Sequence, residues 1–323
     1  MSNQPEQLSL FPSVPSTQTG GRWTVPLAEV PDRPLTVESS LGLAVHWFGQ
    51  EMQRLGFAEN TRKTYAKAVA LLARYVGASR SLSEINADDL DRFQAWVEGQ
   101  AQSPKTAEVK LTAVRRFFVA LHEAEIMPVN VARDMYPIKA QIPLPVVLYS
   151  AQADAVRRMA AEQATASADP DPLPALLITL LLDMGLRLGE AVRLHVDDID
   201  LSNSLRPIVH VRYDRARHRA KRRALVGPPV LTNLVKQQLA GLDPDETRVL
   251  ASSRRRLQYI VERLGEEADL RRSLTPSTLR WTYALDQFTA GMDPETLRQR
   301  LGLSERSWKE VEVRLRALAR RAL

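Results

Sequence analysis

The densest run of chemistry-bearing side chains lies between two β-rich stretches. Pro207-Ile208-Val209-His210-Val211-Arg212-Tyr213 and Arg223-Ala224-Leu225-Val226-Gly227 read as an antiparallel strand pair. Around and between them stand Arg212, Arg215, Arg217, Arg219, Lys221, Arg222 and Arg223, with Asp214 the only acid in the stretch. A basic hairpin of this kind can lie along a duplex backbone or in a groove, because its cations replace the counterions condensed on phosphates. Two further segments carry arginine: Asp183-Met184-Gly185-Leu186-Arg187-Leu188-Gly189-Glu190 and Leu274-Thr275-Pro276-Ser277-Thr278-Leu279-Arg280-Trp281. A planar guanidinium fork grips phosphate oxygens bidentately, so two such arginines suit a phosphate group. Either one alone reads as an ordinary solvated helix residue.

The net charge of +6 leans towards a polyanionic partner, and the absence of cysteine excludes disulfides, thiolate metal sites and cysteine nucleophiles. A hydrophobic share of 44% and a charged share of 25% are those of a globular protein, and 323 residues suffice for two domains. The N-terminus is polar and Pro-rich rather than basic then apolar, so no secretory leader is expected. The longest apolar run, Leu173 to Leu182, is broken by Pro174 and falls short of the ~20 residues that span a bilayer. A soluble, cytoplasmic protein with no membrane partner is expected.

Residues 1–38 read as a flexible tail, rich in Ser, Pro, Gln and Thr. Leu41, Val45, Phe48, Met52 and Leu55 then recur at helical steps until Gly56. A second helix opens at Glu59, with Ala68, Leu72 and Tyr75 as its buried stripe. A third starts at the N-cap Asn86 and runs through Phe93 and Val97, and a fourth starts at Ser103-Pro104. Val109, Leu111, Val114, Phe117, Phe118 and Leu121 form the apolar set of the fourth. Residues 39–136 thus form a helical domain and 137–147 a Pro-punctuated linker. Residues 148–323 form a mostly helical domain with one strand pair.

In order and spacing the two arginine-bearing segments, with Leu301-Gly302-Leu303-Ser304 beyond them, resemble the signature boxes of the tyrosine recombinase (phage integrase) family. The first domain resembles that family's core-binding domain through Thr61-Arg62-Lys63-Thr64-Tyr65, Arg115-Arg116-Phe117-Phe118 and Asn130-Val131-Ala132, where the family has Asn-Pro-Ala. The resemblance implies a mainly α protein: a helical, SAM-like N-terminal domain, then a mixed α+β C-terminal domain with a small antiparallel sheet. It implies double-stranded DNA as partner, other recombinase subunits beside it, work at the nucleoid, and no cofactor. In the family two arginines bind the scissile phosphate, a hairpin lysine protonates the leaving oxygen, and a tyrosine attacks to form a phosphotyrosyl bond. The arginines fall on Arg187 and Arg280. Glu190 matches the family's acidic partner and either orients Arg187 or forms an exposed helix pair with it. The lysine usually stands where this chain has His218, so Lys221 is a substitute or a plain phosphate contact. Arg62, Lys63 and Arg115 join the hairpin cations as expected DNA contacts.

The departures fall on the reacting groups. Ser277 stands where the family has a histidine before the second arginine, Leu303 where it has a histidine after Leu-Gly, and Glu312 where it has the tyrosine; no tyrosine follows Tyr283. Serine is no acid or base near neutral pH, leucine donates no hydrogen bond, and a carboxylate is repelled by an anionic phosphodiester. Tyr259 and Tyr283 lie in segments expected in the core, and no obvious base accompanies Ser304 or Ser307. A DNA-binding protein that does not cut is therefore expected; the rival is an active recombinase whose nucleophile is relocated or partner-supplied. In the tail, Gln7-Leu8-Ser9-Leu10-Phe11 resembles the pentapeptide that docks bacterial proteins on the DNA sliding clamp; either Gln7, Leu8, Leu10 and Phe11 bind that partner or the match is accidental. The basic stretch Arg314 to Leu323, with the apolar stripe Val313, Leu315, Leu318 and Ala322, passes to a neighbouring subunit or packs on its own domain.

Overall fold

The computed structural model describes residues 34–101, 103–136, 143–166, 168–214 and 216–322. The chain divides into two compact units, Met1–Ile142 and Pro143–Leu323. The first is built from α1 (Leu41–Arg54), α2 (Glu59–Val76), α3 (Ala87–Gln100) and α4 (Pro104–Glu123). Their starts follow the local chemistry. The Ser40 and Ser103 hydroxyls accept from orphan backbone N–H groups, and Asn86 and Asp89 form a reciprocal capping box. The core centres on Phe48, Phe117 and Phe118, edge-on to one another at centroid distances of 5.3 and 5.0 Å. Two apolar expectations fail at the helix ends. Leu55 is the residue that caps α1 before the left-handed Gly56 and is exposed. Tyr75 is 40% exposed; it covers the core rim, its ring 5.4 Å from Phe93 and 5.2 Å from Trp96.

The second unit opens with α5 (Ser150–Ala164) and α6 (Leu173–Ile178), whose last turn widens into a π-helical turn, Thr179–Asp183. The Leu173–Leu182 run is the heart of the main core, packed with Leu257, Val261 and Leu264 and with the sheet residues Val209 and Leu225. Among the described residues no helix is long and apolar enough to cross a membrane. After α7 (Leu188–Ala191) come β1 (Ile199–Asp200), β2 (Ile208–Val211) and β3 (Arg223–Val226). The sheet is antiparallel in the order β1-β2-β3, with Ile199 opposite Val209 and Val209 opposite Leu225. The expected strand pair is therefore one strand short. At two residues β1 is too brief to show any alternation, and its neighbour β2 defines it.

Five helices complete the unit: α8 (Val230–Ala240), α9 (Arg254–Glu267), α10 (Pro276–Thr289), α11 (Pro294–Arg300) and α12 (Glu305–Ala322). Leu315 and Leu318 of α12 are buried with Tyr283, Leu297, Leu301 and Trp308 in a second cluster, so that stripe packs on its own domain. Val313 does not belong to it and is exposed. The N-terminal strap of the unit joins the same cluster through Leu144 and Val147, and the Leu148 N–H donates to the buried Thr282 hydroxyl at 2.9 Å.

Candidate functional site

The π-helical turn that ends the buried run delivers the chain to Gly185, which adopts φ +67° against the ring of Tyr283. A Cβ there would stand 2.2 Å from the ring, so glycine alone fits both the space and the backbone. The turn brings Arg187 to the start of α7, one turn before Glu190. The Arg187 backbone N–H donates to one Glu190 oxygen at 2.8 Å, and its guanidinium to the other at 2.9 Å.

Glu190 is almost fully buried, so neither sequence reading describes it completely: it holds Arg187, but not as an exposed pair. Its carboxylate is a hub. Arg223, at the start of β3, donates from both terminal nitrogens at 2.8 and 3.1 Å. The Tyr213 hydroxyl donates at 2.5 Å, and a terminal nitrogen of Arg280 lies 3.8 Å away. Burial pushes the Glu190 carboxyl up, but the hydrogen bonds and charge of Arg223, the charge of Arg280 and the Arg187 N–H outweigh it. They hold the group well below the ordinary carboxylate range. Tyr213 is pushed up by its own burial and by donating to this carboxylate.

Arg280 sits in the second turn of α10, whose start is fixed by the Thr275 cap and Pro276. Its guanidinium donates to the Gly185 and Leu301 carbonyls, tying α10 to the Gly185 turn and to the end of α11. Burial and then the like charge of Arg187 pull it down to about 9, against the pull of Glu190; it remains a cation at neutral pH. Arg187 and Arg280 open into one cleft of about 450 Å³, whose lining also includes Arg193, Tyr213, Arg254, Ser277 and Trp281. Four guanidinium groups thus face one space with a single carboxylate behind them, which suits a phosphate-bearing ligand.

The other expected site residues divide. Arg223 is corrected: its side chain is only 7% exposed, and its Nε donates to the Arg300 carbonyl at 2.6 Å, so it is a structural cation and not a surface contact. Arg222 caps the Tyr213 carbonyl through two nitrogens at 3.0 and 2.6 Å. Arg212 pairs with Asp198 at 3.1 Å, so Asp214 is not the only acid near the hairpin cations. Arg219 is exposed. Arg215 and the side chain of Arg217 lie outside the described residues, as do Gln7, Leu8, Leu10 and Phe11. Lys221 ends a short 3-10 turn (Ala216–Lys221) and is not among the residues lining the cleft. In the first unit Arg62 donates to Gln53 at 2.6 Å, Lys63 pairs with Glu59 at 2.6 Å, and Arg115 lies 4.7 Å over the Tyr136 ring.

Ser277 is exposed at the cleft, on the first turn of α10. Leu303 packs against the second cluster, and Glu312 pairs with Arg316 along α12 at 2.6 Å. Tyr283 is buried as expected, whereas Tyr259 is 62% exposed on α9, contrary to its expected place in the core. Sequence reasoning missed Tyr213, Arg193 and Arg254 as parts of the site. Only the Arg254-Arg255-Arg256 run was visible as a basic signal.

A family model described as the phage integrase family matches residues 151–308, and one described as the phage integrase N-terminal SAM-like domain matches residues 46–127. Tyrosine recombinase XerD of Listeria innocua is 22% identical over 276 residues, covering 79% of this chain and 88% of that protein. Tyrosine recombinase XerC of Pelotomaculum thermopropionicum is 26% identical over 237 residues, 68% and 74% of the respective chains. Among solved structures, a lambda integrase tetramer bound to a Holliday junction matches with a TM-score of 0.67 at 13% identity, over 85% of this chain and 77% of that one. XerH recombinase bound to a palindromic difH substrate matches with a TM-score of 0.66 at 16% identity, over 90% and 97%. At these identities the structural likeness establishes the fold.

Proposed function

Because the chain belongs to the tyrosine recombinase (phage integrase) family, we propose that it grips duplex DNA at the cleft of Arg187 and Arg280 and does so without cutting. The observation that carries the reading is the contrast between the cleft's arginines and the residues at the family's reacting positions. Both family arginines are present and held beside one buried carboxylate. At the positions of the family's two histidines and its tyrosine this chain has Ser277, Leu303 and Glu312, the last paired with Arg316, which supports the reading without cutting. Lys221 and the hairpin cations other than Arg223 would contact the backbone outside the cleft. Occupancy or recruitment at a recombination site, alongside other recombinase subunits at the nucleoid, is the role this supports. XerH and the lambda integrase tetramer were both solved on DNA, and the shared fold makes the same substrate class reasonable here.

The test is a suicide substrate, a nicked duplex that traps a covalent intermediate in a working recombinase. The expected result is DNA binding with no denaturant-stable adduct. An adduct mapping to Tyr259, Tyr283, Ser304 or Ser307, or one formed only after mixing with a partner recombinase, would establish the rival reading of a relocated or partner-supplied nucleophile. The tail motif supports a second contact: a peptide of residues 1–20 is expected to bind a bacterial sliding clamp with about micromolar affinity, as a short segment ordering on binding would. Replacing Leu10 and Phe11 with Ala should abolish it. Equal binding by the double variant would mark the match as accidental.

A further inference from the structure

The cleft holds more positive charge than a single backbone phosphodiester can balance. Arg187, Arg193, Arg254 and Arg280 line it, and Glu190 is its only acid. Both Glu190 oxygens are already engaged by Arg223, a residue outside the lining, and one also accepts from Tyr213. The carboxylate therefore neutralises the back wall and leaves the mouth uncompensated. Arg193 and Arg254 are exposed, and their side chains enter no ion pair or hydrogen bond among the described residues. The Arg193 guanidinium lies 5.5 Å over the Tyr213 ring, whose hydroxyl is anchored on Glu190. Arg254 is the first residue of α9, just after the Ser253 cap.

A mid-strand phosphodiester brings one negative charge and is flanked by sugars on both sides. A terminal phosphate brings nearly two at neutral pH, presents three unshielded oxygens, and has only one sugar to accommodate. Of the hydroxyls that line the cleft, Tyr213 already donates to Glu190 and Ser277 has no base beside it among the described residues, so such a group would be held and not transformed. We infer that the cleft binds the phosphomonoester at a DNA nick or break, with Arg193 and Arg254 as the residues that distinguish it from an internal phosphodiester. The inference rests on the proposed phosphate-gripping role of Arg187 and Arg280 and specifies the class of phosphate that the site prefers.

The test uses the full chain and duplexes of one sequence: intact, nicked with a hydroxyl on both sides, nicked with a 5′-phosphate, and nicked with a 3′-phosphate. Anisotropy titrations at constant ionic strength give the ratio of the unphosphorylated to the phosphorylated dissociation constant. Charge-assisted hydrogen bonds to one added charge make that ratio about 10 to 100 for at least one of the two phosphorylated nicks. Arg193→Gln and Arg254→Gln should each bring it to roughly 1–3, losing most of that bonding. Inorganic phosphate, balanced against chloride, should compete with the phosphorylated nick more strongly than with the intact duplex. A ratio near one in the unaltered protein, with duplex binding intact, overturns this inference and leaves the proposed function standing. A ratio that survives both substitutions also overturns it, assigning the phosphate elsewhere. If Arg193→Gln and Arg254→Gln weaken all four duplexes by the same factor, the two arginines serve successive phosphodiesters and the inference fails. Absence of duplex binding altogether overturns both readings.

Discussion

Glu190→Gln should separate the fold's dependence on the buried hub from the cleft's use of it. Glutamine keeps the volume and one carbonyl acceptor but removes the charge that faces Arg223, Arg187 and Arg280. Arg223 is 7% exposed and Arg280 15%, so their charges would lose their compensation where water reaches them poorly. Breaking a buried pair on one side typically costs about 3–5 kcal/mol. For a unit of the size of Pro143–Leu323, each kcal/mol corresponds to roughly 2–4 °C, so its melting temperature should fall by about 6–20 °C at pH 7. The pH dependence supplies the control. The folded carboxyl lies below its ordinary value of 4.5, so it contributes stability above that pH and loses it as pH falls towards the folded value. The gap between the unaltered protein and Glu190→Gln should therefore be constant from pH 7 to about 5 and shrink steadily below 4.5. Calorimetry or urea unfolding from pH 3 to 7 measures both. A variant within about 1 kcal/mol of the parent at pH 7, or a gap unchanged at pH 3, would refute the hub as a charge-compensating element.

Gly185→Ala should destabilise by about 2–5 kcal/mol, combining a strained left-handed backbone with the collision against the Tyr283 ring. Gly291→Ala, at φ +82° with nothing within 4 Å, should cost only about 1 kcal/mol; urea midpoints compare the two, and equal costs would show that the ring contact is unimportant. Duplex affinity should fall about 10³–10⁵-fold between 50 and 200 mM salt if ~6–10 phosphates are contacted. Replacing Arg215, Arg217 and Arg219 together should reduce the log–log slope by about 3, and an unchanged slope would remove the hairpin from the interface. Arg187→Ala should weaken duplex binding with little loss of stability, whereas Arg280→Ala should lose both, as seen by pairing anisotropy with thermal unfolding; an Arg280 variant of parental stability would contradict its bracing role.

What could be read along the chain was whatever local chemistry dictates. The caps at Ser40, Asn86 and Ser103, the apolar spacing of α1 to α4 and the buried run before Asp183 all act over a few residues, and each element formed where they point. The convergence of Arg187 and Arg280 was legible only through the resemblance of their surrounding boxes, since nothing local makes distant arginines meet. Arg223 shows where such reading ends. A cation opening a strand beside other cations looks like surface, and only the approach of α7 beneath β3 supplies the carboxylate that lets it be buried. Tyr213 was similarly hidden, because its partner Glu190 lies on another element and no spacing joins them. Tyr259 misled in the opposite sense. It lies on α9, but Leu257, Ile260 and Val261 take the inward positions around it and turn its ring to solvent.

The cations of the second unit therefore belong to two populations that composition cannot separate. Arg223 is committed inside the fold, to Glu190 and the Arg300 carbonyl, and Arg280 is braced there by the Gly185 and Leu301 carbonyls while still lining the cleft. Arg187 is shared, with about a third of its side chain exposed above the same carboxylate. Arg193, Arg219 and Arg254 present their charge outward. This division bears on how activity data would be interpreted. Losing DNA binding on substitution of Arg280 would not by itself assign it a phosphate, because the same change loosens the turn that places Arg187. Binding lost on substitution of Arg187, Arg193 or Arg254, with stability retained, would be a statement about the ligand. The hub also gives a physical reason for Arg280 to be retained whatever the cleft does: it and Arg223 are the buried cations beside one buried carboxylate, and removing either leaves charge uncompensated.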